Sequence, residues 1–293
     1  METITTLKLD AWDQSPGHGQ SDAAVQALEA GQVLWLPRLH FRLEADEQGL
    51  LQPGRLESAR AKNINLSADG ATLRGVEGHA DELDLLRRMM WRYACATCNL
   101  LANLVPAYGV ALQHGRTSFR PLEIEGRKTS WRKDDTRLHL DSFPASPTGG
   151  RRILRVFSNI NPQQRPRVWR LGESFDSIAS RYLHRLTAPL PGSAALLRML
   201  RVTKQRRTAY DHYMLGLHDI MKADIDYQTA APQQVHAFPA ESSWLVFTDQ
   251  VPHAAMRGQY ALEQTFLLPV QAMRDAQRSP LRVLERRLGR ALA

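Results

Sequence analysis

The sequence predicts an α+β protein built on an antiparallel double-sheet jelly roll, also called a double-stranded β-helix. Two groups of short extended segments, bounded by Gly, Pro and Asp turns, support this prediction. Both groups lie in a core that we place at residues 115–270, and a helical insertion at about 173–225 separates them. Because neither group of strands can close alone, we predict a single domain over residues 1–293.

Residues 1–114 are predicted to form a helical layer against this core. We expect a short helix at 22–31, then a strand within 31–41, and loops and turns over 40–80. The layer ends with a much longer helix, which follows these loops.

The long helix begins with acidic residues after Ala80 and ends before Pro106. Apolar residues recur along it at helical spacing, which predicts a buried face lying on a sheet. These residues are Leu86, Met89, Met90, Tyr93, Thr97, Leu100, Leu101 and Leu104. The chain's two cysteines, Cys95 and Cys98, also lie here. Without a second C-x-x-C pair, we interpret them as small buried residues and not as a metal or redox site.

The segment RRILRVFSN in the core alternates with a period of two residues. One face would carry Arg151, Ile153, Arg155 and Phe157, and the other Arg152, Leu154, Val156 and Ser158. This alternation indicates a strand whose two faces meet different environments.

A candidate metal site begins at His139 and Asp141 in TRLHLDSFP. Two residues apart at a strand end, both side chains point to one face and can reach one ion. His253, after the strand WLVFTD and a turn, is expected as the third ligand. Two histidines and one carboxylate are typical of non-haem Fe(II) oxygenases, which keep positions open for O₂ and a co-substrate. Taken alone, the H-x-D pair is more often a polar strand end at the surface, and the surrounding strands and the later His253 are what favour a metal site.

Five other histidines compete for the third ligand position. His236 falls within a predicted strand, and His114 precedes the core strands. His184, His212 and His218 lie on predicted helices of the insertion. We assign all five to packing or surface roles.

An Fe(II) site of this kind needs an electron source, most commonly 2-oxoglutarate, whose far carboxylate is best bound by an arginine. We predict Arg155 for this role, because an arginine beside apolar neighbours is costly unless an anion pairs with it. Arg127 and Arg257 are the next candidates, and Asn159 and Gln264 are expected to add hydrogen bonds. A surface position for Arg155 is the open alternative.

Basic residues exceed acidic ones by 38 to 30, so the net charge of +8 favours an anionic partner. The excess is local, in RMLRVTKQRR and in a basic amphipathic helix predicted at 279–293. The leucine stripe of that tail helix either lies on an anionic membrane or packs on its own domain. The sequence shows neither a membrane-spanning apolar window nor a secretory signal, which predicts a cytoplasmic location.

The segments HLDSFPASPTGGRRILRVFSNINP, WRLGESF and VFTDQVPHAAMRGQYALEQTFLLP resemble the Kdo hydroxylase family over roughly residues 115–270. Kdo is 3-deoxy-D-manno-oct-2-ulosonic acid. The resemblance implies a dioxygenase dependent on Fe(II), 2-oxoglutarate and O₂. It further implies hydroxylation at C3 of Kdo on a lipid A precursor, during lipopolysaccharide biosynthesis at the cytoplasmic face of the inner membrane.

The same resemblance assigns His139, Asp141 and His253 as iron ligands. Many related dioxygenases place the co-substrate cation shortly after the distal histidine, where this chain has Glu263 and Gln264. This departure is the reason for looking to Arg155 instead.

Two other functions stay open at this point. A 2-oxoglutarate oxygenase acting on nucleic acid would usually carry paired arginines on the strand after the distal histidine, and EQTFLLPV has none. We therefore expect no nucleic-acid partner. A non-catalytic jelly roll that binds an acidic glycan would need no iron.

Overall fold

The computed structural model describes residues 3–52, 63–127 and 129–293. Within these residues the strands are β1 (Ile4–Thr6), β2 (Val33–Leu36), β3 (Ile64–Leu66), β4 (Leu73–Arg74), β5 (Gln113–Arg120), β6 (Arg152–Asn159), β7 (Arg167–Gly172), β8 (Gln233–Phe238), β9 (Ser242–Phe247), β10 (His253–Arg257) and β11 (Ala261–Leu268). The α-helices are α1 (His18–Glu29), α2 (Ala80–Leu104), α3 (Phe175–Tyr182), α4 (Ser193–Met199), α5 (Ala209–Ala223), α6 (Ile225–Ala230) and α7 (Pro280–Leu288).

The strands form two sheets. The larger has the order β1-β2-β9-β6-β11-β5-β3-β4, and the smaller has the order β10-β7-β8. Large aromatic side chains fill part of the space between them: Trp244 stacks on Phe157 and on Phe238, and Trp169 meets all three rings edge-on. This arrangement confirms the predicted jelly-roll core.

The predicted loop region at 40–80 is partly wrong. β3 and β4 form a hairpin there, and β3 pairs with β5 to extend the large sheet. Ile64 and Leu66 are buried, so two apolar residues suffice for the short strand β3, which composition had obscured and which lies between β5 and β4. Residues 53–62 of this region lie outside the described residues.

Helix α2 lies on the outer face of the large sheet. All eight apolar-face residues predicted from its spacing are buried, and Tyr93 donates a hydrogen bond to the carbonyl of Val156 on β6 (3.1 Å). The expectation that Cys95 and Cys98 are buried is wrong, since both are exposed. Their positions fall off the buried stripe because each helical residue advances about 100° around the axis.

The insertion between β7 and β8 contains α3, α4, α5 and α6. Thr208 begins α5 with a capping box, in which its hydroxyl and the Asp211 carboxylate accept each other's backbone N–H groups. The buried side of α5, including Met214 and Leu217, joins the main core. The insertion is thereby held against the jelly roll next to the site described below.

The tail helix α7 packs on its own domain. Ser279 caps its first turn, Gly289 ends it, and Leu281, Leu284 and Leu292 are buried in the main core. Of the two interpretations of its leucine stripe, the structure shows intramolecular packing. Among the described residues, no helix has both the length and the apolar character needed to cross a bilayer.

Candidate metal centre

The three predicted ligands converge at one end of the jelly roll. His139 and His253 form an antiparallel β-bridge, in which each backbone N–H donates to the other's carbonyl (3.1 and 3.0 Å). Asp141 follows two residues later and is 3.9 Å from the His139 Nε2 through its Oδ1. One potential ligand atom from each of the three residues lies within 4.8 Å of the others. The bridge explains how residues so distant in sequence reach one point.

Both imidazoles are oriented by backbone carbonyls. His139 Nδ1 lies 2.7 Å from the Arg137 oxygen, and His253 Nδ1 lies 2.9 Å from the Val251 oxygen. Because a carbonyl only accepts, each Nδ1 carries the proton and each Nε2 keeps its lone pair. Burial lowers the pKa of both histidines, which favours the neutral form that binds metals.

Asp141 supplies the negative charge of the centre. Burial opposes its ionisation, but the adjacent Arg155 guanidinium outweighs that effect and holds its pKa well below the ordinary value. Arg155 Nη2 lies 3.0 Å from the Asp141 Oδ2. Two neutral imidazoles and one ionised carboxylate are a donor set that fits Fe(II), and the residues present therefore match the ion expected from the sequence.

Helices and strands around the centre shape its walls. The Trp169 ring of β7 stacks on the His253 ring, with centroids 5.2 Å apart. From α5, the His218 ring meets the His139 ring edge-on at 5.4 Å, while its Nδ1 is 2.9 Å from an Asp219 oxygen. His218 was expected at the surface or in packing, and its contact with His139 is a packing contact that brings the insertion to a candidate ligand.

Arg155 lies on the inner face of β6, as the alternation predicted, and it is buried. Its Nη1 is 2.9 Å from Glu263 Oε1 on β11, and its Nη2 contacts Asp141. Its Nε is buried with no hydrogen-bond partner in the described part of the chain. Arg155 thus connects the metal centre to Glu263.

Two further arginines that sequence reasoning missed lie around Glu263. Arg120 of β5 pairs with the other Glu263 oxygen, its Nε at 3.0 Å. Arg167 of β7 is buried, makes no ion pair with any described carboxylate, and donates one hydrogen bond, from Nη1 to the Gly258 carbonyl (2.9 Å). Burial, reinforced by Arg120, lowers the Arg167 pKa to about 9. A buried guanidinium with so few partners is costly unless an additional anion pairs with it.

Arg127 and Arg257, the alternative co-substrate arginines, are less well placed. Arg127 is partly buried and donates to the Glu123 carbonyl (2.9 Å). Burial lowers the pKa of Arg127, Asp135 opposes that effect and Arg120 adds to it, so Arg127 borders the arginine group. Arg257 is exposed at the end of β10.

Asn159 and Gln264, which the sequence predicted to add hydrogen bonds to the co-substrate, use their side-chain amides for hydrogen bonds within the fold. The Asn159 amide donates to the carbonyls of Arg165 and Phe238 (2.9 and 3.1 Å) and shapes the turn after β6. Gln264 accepts from Thr117 (2.5 Å) on the opposite face of β11 from Glu263. Consecutive strand residues point to opposite faces, so only one of residues 263 and 264 can face inward.

A jelly roll carrying two histidines and a carboxylate on one side of an open centre defines the class of non-haem iron oxygenases. The family model described as 3-deoxy-D-manno-oct-2-ulosonic acid (Kdo) hydroxylase matches residues 11–291. The chain therefore belongs to the Kdo hydroxylase family, which confirms the family and the enzyme class expected from the sequence. Comparison with curated protein sequences gave no match.

Solved structures of the Kdo hydroxylase KdoO, described as a non-haem Fe(II) α-ketoglutarate-dependent dioxygenase, are similar over their whole length. One, in complex with α-ketoglutarate and Fe(III), is 48% identical, with 100% of this chain and 98% of that chain covered and a TM-score of 0.96. Another, with cobalt(II), is 49% identical over 99% and 97% of the two chains (TM-score 0.96). A third, with succinate and Fe(III), is 48% identical over 99% and 97% (TM-score 0.95). Iron and 2-oxoglutarate, the cofactors expected from the sequence, are both bound in the first of these structures.

Proposed function

We propose that this chain is a Kdo 3-hydroxylase that uses Fe(II), 2-oxoglutarate and O₂, and that it acts on Kdo attached to a lipid A precursor. The observation that supports this most directly is the convergence of His139, Asp141 and His253, with both imidazole Nε2 atoms left available by their Nδ1 hydrogen bonds. Similarity to a Kdo hydroxylase across the whole chain supports the sugar substrate.

His139, Asp141 and His253 would hold the iron. When bound with 2-oxoglutarate, this ion supplies oxygen activation coupled to decarboxylation to succinate, and one oxygen atom is delivered to the substrate. The protein's part is to keep Asp141 ionised, to keep both histidines neutral, and to hold all three on rigid backbone. Trp169 and His218 restrict the space beside the two imidazoles.

Arg155, Arg120 and Arg167 would bind the far carboxylate of 2-oxoglutarate. Arg155 extends from the metal centre toward Glu263. Arg167, on β7, donates one hydrogen bond among the described residues, so most of its N–H groups have no acceptor there. An incoming carboxylate would therefore complete the pairing of Arg167. This proposal keeps the sequence-based assignment of Arg155 and adds two arginines to it.

Kdo is itself an acid, so the substrate brings a second negative group close to the iron. Arg116, two residues before Ser118 on the inner face of β5, makes no ion pair with any described residue, and its guanidinium lies 5.4 Å from the Phe143 ring centre. An unpaired arginine at this position suits an acidic sugar. We place the reaction at the cytoplasmic face of the inner membrane, where a lipid-linked precursor is available.

Anaerobic reconstitution tests the function. The purified chain is loaded with Fe(II), and 2-oxoglutarate, O₂ and Kdo-lipid A are added. We expect a gain of one oxygen atom in the Kdo residue by mass spectrometry, with one succinate released per product. Fragmentation that places the new hydroxyl at C3 would support the regiochemistry.

Three outcomes would contradict parts of this proposal. Succinate release without an oxidised sugar would leave the oxygenase but exclude this substrate. Oxygen at another carbon would exclude C3. Failure of the wild-type chain to bind Fe(II) or the less reactive Mn(II) would exclude the metal centre.

A further inference from the structure

An exposed apolar surface lies on the insertion around α4. Nine large apolar side chains are exposed among the described residues, and five of them fall within residues 190–202. We call these five the α4 surface: Leu190, Leu196, Met199, Leu200 and Val202, with exposed fractions between 50% and 77%. Isolated exposed apolar residues are ordinary, but a contiguous group is typical of an interaction site.

Positive charge surrounds the α4 surface. The sequence has no acidic residue between Asp176 and Asp211. Five basic residues follow one another within ten positions in this interval: Arg198, Arg201, Lys204, Arg206 and Arg207. All but Arg207 are exposed. The surface therefore combines apolar side chains that favour burial with cations that favour an anionic partner.

The α4 surface is attached beside the metal centre. The backbone N–H of Lys204 donates to the Ala145 carbonyl (2.9 Å), and the Arg207 Nη2 donates to the Pro144 carbonyl (2.9 Å). Residues 144 and 145 follow Asp141 closely, and Phe143 lies 5.5 Å from the Arg155 guanidinium. A partner that covers the α4 surface would thus lie next to the loop that borders the site.

We propose that the α4 surface docks the enzyme on an anionic lipid bilayer, with Leu196, Met199 and Leu200 entering the acyl boundary and the basic side chains contacting lipid phosphates. This inference deepens the proposed function and rests on it for the lipid-linked substrate. It assigns docking to α4 and not to the tail helix, whose Leu281 and Leu284 are buried and whose Arg282 and Arg287 pair with Glu285 and Asp176.

A second copy of the chain is a poorer occupant. In a two-fold symmetric dimer the same patch meets itself, so the basic residues of both copies would come close together without any acidic residue of the segment to balance them. Anionic lipid headgroups supply that balance.

Co-sedimentation with vesicles tests the proposal. The full chain is mixed with phosphatidylcholine vesicles, with and without phosphatidylglycerol. We expect binding to the anionic vesicles that weakens at high salt, because the charges act at the surface. Replacing Leu196, Met199 and Leu200 together by Ser should weaken binding about tenfold or more. Changing Arg198, Lys204 and Arg206 together to Gln should weaken it roughly a hundredfold.

Matched controls change the same chemistry elsewhere. The apolar control replaces Val110, Ile225 and Val235, which are also exposed, by Ser. The basic control replaces Lys8, Arg42 and Arg165 by Gln. Both should bind like the wild type. Equal losses in the controls, or undiminished binding of the α4 variants, would overturn the proposal. So would a wild-type dimer in analytical ultracentrifugation that the Ser variant dissociates, since a second copy would then cover the surface.

Vesicle binding and catalytic turnover are measured in separate assays, so that docking and the substrate proposal can fail independently. Turnover of Kdo-lipid A dispersed in detergent should be unchanged in the α4 variants, whereas turnover of substrate embedded in vesicles should fall with binding. An inactive wild-type chain that still binds anionic vesicles through α4 would sink the substrate proposal and leave docking intact. An active wild-type chain that does not bind anionic vesicles would exclude docking and leave the substrate proposal intact.

Discussion

Arg152 and Arg155 lie on the same strand, β6, and face opposite sides of the large sheet. Arg152 is fully buried and fully partnered: its Nε is 2.7 Å from Asp249, its Nη2 is 2.6 Å from Gln250, and its guanidinium lies over the Phe247 ring. Arg155 is equally enclosed, but it shares Asp141 and Glu263 with a metal centre and a second arginine, and its Nε has no partner in the described residues.

The carboxylates on the two faces differ in the same way. Burial raises the pKa of Asp249, although Arg152 opposes the rise. Asp141 is also buried, yet its pKa is lowered, because the adjacent Arg155 guanidinium more than compensates for burial. One face therefore holds a balanced ion pair that stabilises the fold, whereas the other holds surplus positive charge, which the proposed co-substrate would neutralise. Because both arginines are buried, local charge balance and not burial distinguishes the structural Arg152 from Arg155, for which we propose a functional role.

The largest expected effect lies at the metal centre. His139→Ala removes a ligand and should abolish turnover, with a loss of binding for Fe(II) or Mn(II) measured by calorimetry. The fold should survive, because the β-bridge to His253 uses backbone atoms only. Unchanged metal affinity in a folded His139→Ala protein would remove this residue from the ligand set.

The next largest effect is expected at Arg152, the arginine that stabilises the fold. Arg152→Met leaves Asp249 buried without its cation and should lower the free energy of unfolding by about 3–5 kcal/mol, measured by urea denaturation of the metal-free protein. The KM for 2-oxoglutarate should stay unchanged. If Arg152→Met raised that KM tenfold without destabilising the protein, the separation of the two faces would be wrong.

Arg167→Met tests the face of the sheet that we propose to bind the co-substrate. We expect the KM for 2-oxoglutarate to rise by about 10- to 100-fold, since a charged hydrogen bond is worth about 1.5–3 kcal/mol. Stability without ligand should be unchanged or higher, because a poorly partnered buried charge is removed. Arg165→Met, exposed and two residues away, is the control. Destabilisation by Arg167→Met with unaltered KM would assign Arg167 to the fold.

The sequence predicted the two arginines of β6 and the converging metal-site residues better than it predicted the other arginines around Glu263. Period-2 alternation correctly separated Arg152 from Arg155, and H-x-D with a distant His253 identified the residues that converge. Arg120 and Arg167 were missed because each needs a partner on another strand: Glu263 joins Arg120 and Arg155 only through the pairing of β11 with β5 and β6. The available signal for these two arginines was the period-2 alternation in RTSFR and RVWRL. In each segment an arginine shares a strand face with a residue of the site. His218 was equally out of reach, since only helix packing brings it to His139.

The smallest expected effect is a pH dependence at Glu263, where the two arginines of the functional face meet. Burial alone would raise its pKa, but Arg120 and Arg155 lower it below the ordinary value of 4.5. A carboxylate whose folded pKa is depressed contributes stability above its unfolded pKa and loses it as the pH falls through the folded value. We therefore expect the unfolding free energy of the metal-free wild type to fall on acidification below about pH 4.5, more steeply than that of Glu263→Gln. Asp141 titrates in both proteins, so the difference between the two curves reports Glu263 together with its coupling to Asp141 through Arg155. Parallel curves would mean that Glu263 is no better paired in the folded protein than in the unfolded chain, and the functional face would then hold more unbalanced positive charge than its contacts indicate.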